Sequence, residues 1–258
     1  MPEGGERCPA CRAILRSGAL FCPACGHTLN SAVAAPARRE QRASVTGFAE
    51  NWDELKRVGW LFGLLLGCSF VFGLVSRAGT SPWSMVVVSL VEAFIVLTAV
   101  GLRFSKLRFL FRVHPIGLPS ALRLALWTSV FVALMAAYFW VLEHMGVPMS
   151  SASGPFVRAG WPVWSMLLLI SLMPAFFEEL AFRGVIQSSL ERVFNTRDAW
   201  LIQAALFSVL HLTPLVFPSH FVMGLCFGLV RRRTRSIYPG MVLHGAWNAF
   251  VVLSELWT

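Results

Sequence analysis

The chain has 258 residues, 56% hydrophobic and only 14% charged, with a mean hydropathy of +0.65. Such a composition excludes an ordinary soluble domain and defines a polytopic membrane protein. The net charge of +9 and pI near 10.1 would also suit a nucleic-acid binder, but membrane proteins collect Lys and Arg for topological reasons, so the distribution of charge decides between the two.

Residues 1–29 carry Cys8-Pro9-Ala10-Cys11 and, ten residues later, Cys22-Pro23-Ala24-Cys25 followed by Gly26. Two Cys-x-x-Cys turns at this spacing offer four thiolates to one tetrahedral Zn²⁺, and so short a segment has no core without a metal. The expectation is a small structural zinc ribbon ligated by Cys8, Cys11, Cys22 and Cys25. Redox dithiols or two short disulfides are the rival readings. The resemblance here is to small zinc ribbons, which often serve as structural or partner-binding modules, so a protein partner is a possible role. Residues 1–57 lack the apolar core of a cleavable signal peptide, and the first membrane helix is expected to act as the targeting signal.

Residues 30–57 read as a flexible basic linker, rich in Ala, Ser and Arg through Glu50 and ending in a charged stretch from Trp52 to Arg57. The membrane domain is then expected over 58–258. Apolar runs at about 58–76, 83–102, 121–142, 161–182, 199–213, 217–230 and 237–254 predict an all-α bundle of about seven spans. The fifth and sixth runs are short. Pro214 and Pro218 between them suggest broken helices sheltered by their neighbours.

Placing the N-terminus in the cytoplasm leaves only Arg77 and Arg158, of 22 Lys and Arg, on the far side. That asymmetry accounts for the basic pI by topology, and no nucleic-acid partner is expected. It also puts the ribbon cysteines in a reducing compartment, which favours zinc over disulfides. The expected location is a prokaryotic cytoplasmic membrane.

Polar residues inside the spans point to function. An ionised side chain at the centre of a membrane helix costs about 2.5–3.5 kcal/mol on insertion scales, and Glu178, Glu179 and Arg183 fall within six residues. Glu179 and Arg183 are four apart with the acid first, the favourable order for an intrahelical ion pair. Glu178, turned about 100° away, must find its partner on another segment. Snorkelling of the trio at a helix end is the bland alternative. The fifth run adds Phe207-x-x-x-His211 and the seventh His244-x-x-x-Asn248, with His244 and Asn248 on one helix face. Such a set can bind a metal or a water, accept its proton and donate to an oxyanion. Glu92, mid-span in the second run, has no assigned role. His220 reads as interfacial, and Cys68 and Cys226 as small apolar packers.

Glu178-Glu179-x-x-x-Arg183, Phe207-x-x-x-His211 and His244-x-x-x-Asn248, in this order over residues 160–254, resemble the three motifs of the CPBP (CAAX protease and bacteriocin-processing, Abi) intramembrane proteases. The basic loop Arg231 to Arg235 before Ile237-Tyr238-Pro239-Gly240 is similar to that family as well. The resemblance implies hydrolysis of a peptide bond within the membrane, on a membrane-associated peptide or protein substrate. Glu178, helped by His211, would activate water; His244 and Asn248 would stabilise the oxyanion; Glu179 and Arg183 would hold the constellation in place. The family has also been read as metal-dependent through the same glutamates and histidines, and the donor types permit either. A non-catalytic membrane scaffold or immunity-type binding protein on the same fold is the alternative function. A transporter is disfavoured, because the hydropathy shows no paired halves.

Overall fold

The computed structural model describes residues 7, 8, 11, 13, 14, 36–77, 81–112, 117–147 and 151–257. The chain divides into two compact units, Met1–Glu50 and Asn51–Thr258. In the first unit Arg7 and Ile14 form an antiparallel bridge, and the amide of Cys8 donates to the carbonyl of Ala13 at 2.9 Å. The chain thus doubles back with Cys8 buried at the fold and Cys11 on the turn. Cys22 and Cys25 lie outside the described residues.

The rest of the described structure is helical, in keeping with the all-α expectation. Helix α1 (Pro36–Arg77) starts inside the stretch expected to be a flexible linker. Its first turns hold Ala, Arg, Gln and Glu, all good helix formers, behind a proline at the first helical position. α2 (Pro82–Gly101) is capped by the Ser81 hydroxyl, which accepts from the amide of Trp83 at 3.3 Å. A short α3 (Phe104–Leu107) and a 3₁₀ turn (Arg108–Phe111) lead to α4 (Leu118–His144). After the one-turn α5 (Gly154–Arg158) comes α6 (Val163–Val193), then α7 (Thr196–Leu210), α8 (Phe217–Thr234) and α9 (Tyr238–Trp257).

Among the described residues five segments, Asn51–Val75, Pro82–Gly101, Ala121–His144, Val163–Val193 and Pro214–Thr234, are long and apolar enough to cross a bilayer. That is fewer than the seven expected, and the two that drop out have physical reasons. α7 has 15 residues, which at 1.5 Å each fall short of a hydrocarbon core about 30 Å thick. α9 dilutes its apolar run with Tyr238, His244, Asn248 and Glu255. Both are helices that carry predicted site residues.

α6 is the centre of the bundle. Half of its most apolar window is buried, against a third or less in each of the other four spans. It is not a regular helix: π-helical stretches at Leu167–Leu172 and Glu179–Ile186 flank Met173–Glu178. Pro174 contributes to the irregularity, since it has no N–H to offer the carbonyl of Ile170 four residues earlier. Asn248 Nδ2 of α9 donates to that carbonyl at 3.2 Å. Close by, the Ser171 hydroxyl donates to the carbonyl of Gly245 at 2.7 Å, so α6 and α9 are cross-linked twice.

α7 and α8 form the tightest helix pair. A Cβ on Gly224 would stand 2.7 Å from Ala204 Cα, and one on Gly228 would stand 2.7 Å from Gln203 Nε2. Small residues four apart allow the backbones this approach. Gln203 Nε2 then donates to the Gly224 carbonyl at 2.7 Å and Trp200 Nε1 to the Leu225 carbonyl at 2.8 Å. At the end of α8, Arg231 is buried rather than part of a solvated basic loop, with Nη1 on both Glu191 oxygens at 2.7 and 2.6 Å and Nη2 on Ser188 Oγ at 2.6 Å.

Candidate active site

The two adjacent glutamates of α6 have opposite environments. Glu179 is fully buried and its Oε1 lies 3.0 Å from Arg183 Nη1, the ion pair that the four-residue spacing predicts. The Arg183 guanidinium carbon sits 4.3 Å from the centroid of the Phe207 ring and 5.2 Å from that of Phe227. Two aromatic faces and a carboxylate therefore stabilise a charge that has no access to solvent. The other oxygen of Glu179 abuts Gly240 in the first turn of α9, where a Cβ would come within 2.7 Å of Oε2. Only glycine leaves room for the carboxylate there. Glu178 keeps 21% of its side-chain surface exposed, and its Oε2 has no hydrogen-bond partner.

The partner of Glu178 on another segment is His244. Its Nδ1 is 3.3 Å from Glu179 Oε1 and its Nε2 is 4.0 Å from Glu178 Oε2, so the imidazole stands between the two carboxylates. The ring stacks on Phe227, with centroids 5.2 Å apart and planes 29° apart, and meets Phe207 edge-on at 5.9 Å. Packing on two sides fixes which nitrogen faces which acid.

His211 is brought to the same aromatic hub by the end of α7. Asn195 starts that helix, its Oδ1 accepting from the amides of Arg197 and Asp198 at 3.1 and 3.0 Å. Leu212, in the left-handed region at φ +53°, stops it one residue past His211. His211 Nδ1 is 2.9 Å from the Phe207 carbonyl, which makes Nδ1 the donor and leaves Nε2 with the lone pair in the neutral ring. The Phe207 ring touches Arg183, His211, His244 and His220. It is the common wall of the site, and the Phe-x-x-x-His spacing gave no separate sign of that role. No direct hydrogen bond joins His211 to Glu178 among the described residues.

His220 differs from its interfacial reading. Its ring lies on His211 with centroids 3.8 Å apart, and its Nδ1 is 3.0 Å from the Val216 carbonyl. A histidine in the first turn of the next helix is invisible to a search for spaced motifs, because the turn between α7 and α8 sets the contact. Glu92 lies on α2, which packs against the Met173–Ile186 stretch of α6 that carries Glu178 and Glu179. Asn248, expected to donate to an oxyanion, gives Nδ2 to Ile170; a primary amide has a second N–H left over.

An apolar groove of about 610 Å³ runs between α6 and α9, lined by Leu172, Phe176 and Phe177 on one side and Met241, Val242 and Ala246 on the other. Glu178 follows the first wall directly and His244 is interleaved with the second. Among the described residues no three His, Cys, Asp or Glu side chains converge as a metal-ligating group. The arrangement of these described side chains does not fit a three-ligand catalytic zinc site.

The site thus places a carboxylate pair and two imidazoles on apolar helices, next in sequence to the walls of an apolar groove. Residues 159–250 match the family described as Rce1-like, type II CAAX prenyl endopeptidase Rce1-like. A Bacillus subtilis (strain 168) protein carrying the name "Putative membrane peptidase YdiL" is 29% identical over 91 residues, covering 35% of this chain and 37% of that protein. The chain thus spans little more than a third of the length of the curated relative it matches. No solved structure matches. The matched residues 159–250 contain every residue of the three polar motifs.

Proposed function

We propose that the protein is an intramembrane endopeptidase in which Glu178 is the general base. The observation that carries this reading is the division of labour within one Glu-Glu pair: Glu179 is sealed into a structural ion pair, while Glu178 keeps part of its side chain exposed and an unpartnered Oε2 4.0 Å from His244 Nε2. That separation exceeds a hydrogen bond, and one substrate-derived oxygen can engage both groups across it. Glu178 takes a proton from water as the water oxygen attacks the scissile carbonyl. His244, oriented through Nδ1 by Glu179, directs Nε2 at the oxyanion and donates to it in the imidazolium form. Glu178 then returns the proton to the leaving amine as the C–N bond breaks. His211, with its Nε2 lone pair, helps to orient the water, and the second N–H of Asn248 is the further oxyanion donor.

An apolar groove between the two catalytic helices suits the apolar part of a membrane-associated peptide substrate, and the words "CAAX prenyl endopeptidase" in the matched family make a lipidated C-terminal segment one such class. The basic residues orient the N-terminus to the cytoplasm in a prokaryotic membrane. In the first unit, the fold-back that brings Cys8 and Cys11 to one turn supports a four-cysteine zinc site completed by Cys22 and Cys25. Its part is structural, or the recruitment of a protein partner.

The test is a quantitative comparison of membrane proteomes from cells making wild-type protein and Glu178→Gln at matched levels. Polypeptides shortened only with the wild type are expected, with a rate loss of about 10²–10⁴-fold in the variant, the usual share of a general base. Fragments unchanged in the variant would overturn the assignment. An absence of fragments together with altered binding partners would move the scaffold reading ahead.

A further inference from the structure

A second cavity, separate from the catalytic groove, lies between the start of the membrane portion of α1 and the end of α2. It holds about 630 Å³ and is polar at one end only. Arg57, Arg103 and Lys106 form that end. Trp60, Leu64 and Phe94 line the rest, and these three are 72%, 50% and 73% exposed, so the cavity opens sideways to the space that lipid fills. From Arg57 to Leu64 the wall changes from cationic to apolar over about 10 Å of helix. Such a gradient fits an amphiphile with its head at one end and its chain along the other.

The charge balance at the polar end selects the head. Glu54, 5% exposed, is the buried carboxylate of the cluster, and the exposed Asp53 beside it pairs with Lys56 at 2.8 Å and is within electrostatic reach of Arg57. Arg103 takes both oxygens of Glu54, Nη1 at 2.6 Å from Oε2 and Nη2 at 2.8 Å from Oε1. Arg57, Lys106 and Arg192 lie at 3.5, 3.8 and 4.0 Å from Oε1. Two carboxylates, Asp53 and Glu54, thus face five cations, Lys56, Arg57, Arg103, Lys106 and Arg192. Arg103 is itself 7% exposed, lines the cavity and has an Nε with no hydrogen-bond partner. Arg57 and Lys106 are about half exposed at the mouth. A phosphodiester oxygen supplies the missing negative charge and accepts from such donors. Basic pockets of this kind between membrane helices are suited to anionic lipid head groups.

We propose that this cavity is a binding site for an anionic glycerophospholipid, its phosphate held by Arg57, Arg103 and Lys106 and one acyl chain laid along Trp60, Leu64 and Phe94. The site is independent of the peptidase reading and uses none of its residues.

Native mass spectrometry of the full chain, purified in detergent and titrated with phosphatidylglycerol or phosphatidylcholine of identical acyl chains, tests it. Wild-type protein is expected to hold phosphatidylglycerol in preference. Arg57→Gln and Lys106→Gln should each weaken that lipid about fivefold and together erase the preference, with unfolding temperature unchanged. Leu64→Trp, which fills the apolar end and leaves the charges intact, should weaken both lipids. Glycerol 3-phosphate at the same concentration should displace neither. Equal binding of the two lipids by wild type, an undiminished preference in the double variant, or full displacement by glycerol 3-phosphate would each overturn the proposal.

Discussion

α1 and α6 both contain stretches able to cross a bilayer, yet 17% of the most apolar window in the first is buried and 50% in the second. Lipid tails are as apolar as leucine, so an apolar side chain gains little by turning inwards, and burial must be driven by something else. In α6 the buried set includes Ser171, Glu179, Arg183, Gln187, Ser188 and Ser189. Packing is densest where polar groups need partners away from lipid. Around α6 the bundle is organised by its polar groups, whereas the outward faces of α1, α2 and α4 are organised by the bilayer.

This contrast can be broken by substitution, and the largest effect should follow Glu179→Ala. It strands a buried guanidinium and is expected to cost about 3–5 kcal/mol, seen as loss of monodisperse protein and a collapse of unfolding temperature in detergent. Glu178→Gln, one residue away, should unfold like wild type. Gly240→Ala forces a methyl against Glu179 Oε2 and should cost about 1–3 kcal/mol, with reduced cleavage as the ion pair shifts. Asn248→Ala removes the donor to the Ile170 carbonyl, and in a membrane such a bond is worth about 0.6–1.7 kcal/mol; a thermal shift measures it. Phe70→Ala and Val71→Ala, on the outward face of α1, should stay within about 0.5 kcal/mol. A large loss at either of them would mean that α1 has an inward role that the contrast denies.

Much of the polar core was legible because helical periodicity is local. The Glu179–Arg183 pair, and the need of Glu178 for a partner on another helix, both follow from 100° per residue. What was not legible depends on tertiary placement or on backbone irregularity. The π-helical stretches of α6 leave no simple mark in composition, so the run ending near residue 182 continues to Val193. His220 joins His211 through the geometry of one interhelical turn, and Arg231 read as part of a basic loop because its partner Glu191 is 40 residues away. Five of the seven expected spans are long and apolar enough to cross, and the other two differ for a related reason: a helix that carries site residues gives up hydropathy, as α9 does, and α7 is also short. The four-cysteine motif stands apart, since half of it lies outside the described residues.

The sealing of Glu179 and Arg183 between Phe207 and Phe227 also sets how the molecule should respond to ionic strength. Mobile ions screen charges they can approach, with a reach of about 8 Å near physiological salt, and cannot enter a pair with no exposed surface. The central charges are therefore insulated from the buffer, while Arg57 and Lys106 at the rim are not. Any dependence of turnover on salt would then report on events at the membrane surface and not on the chemistry beneath it.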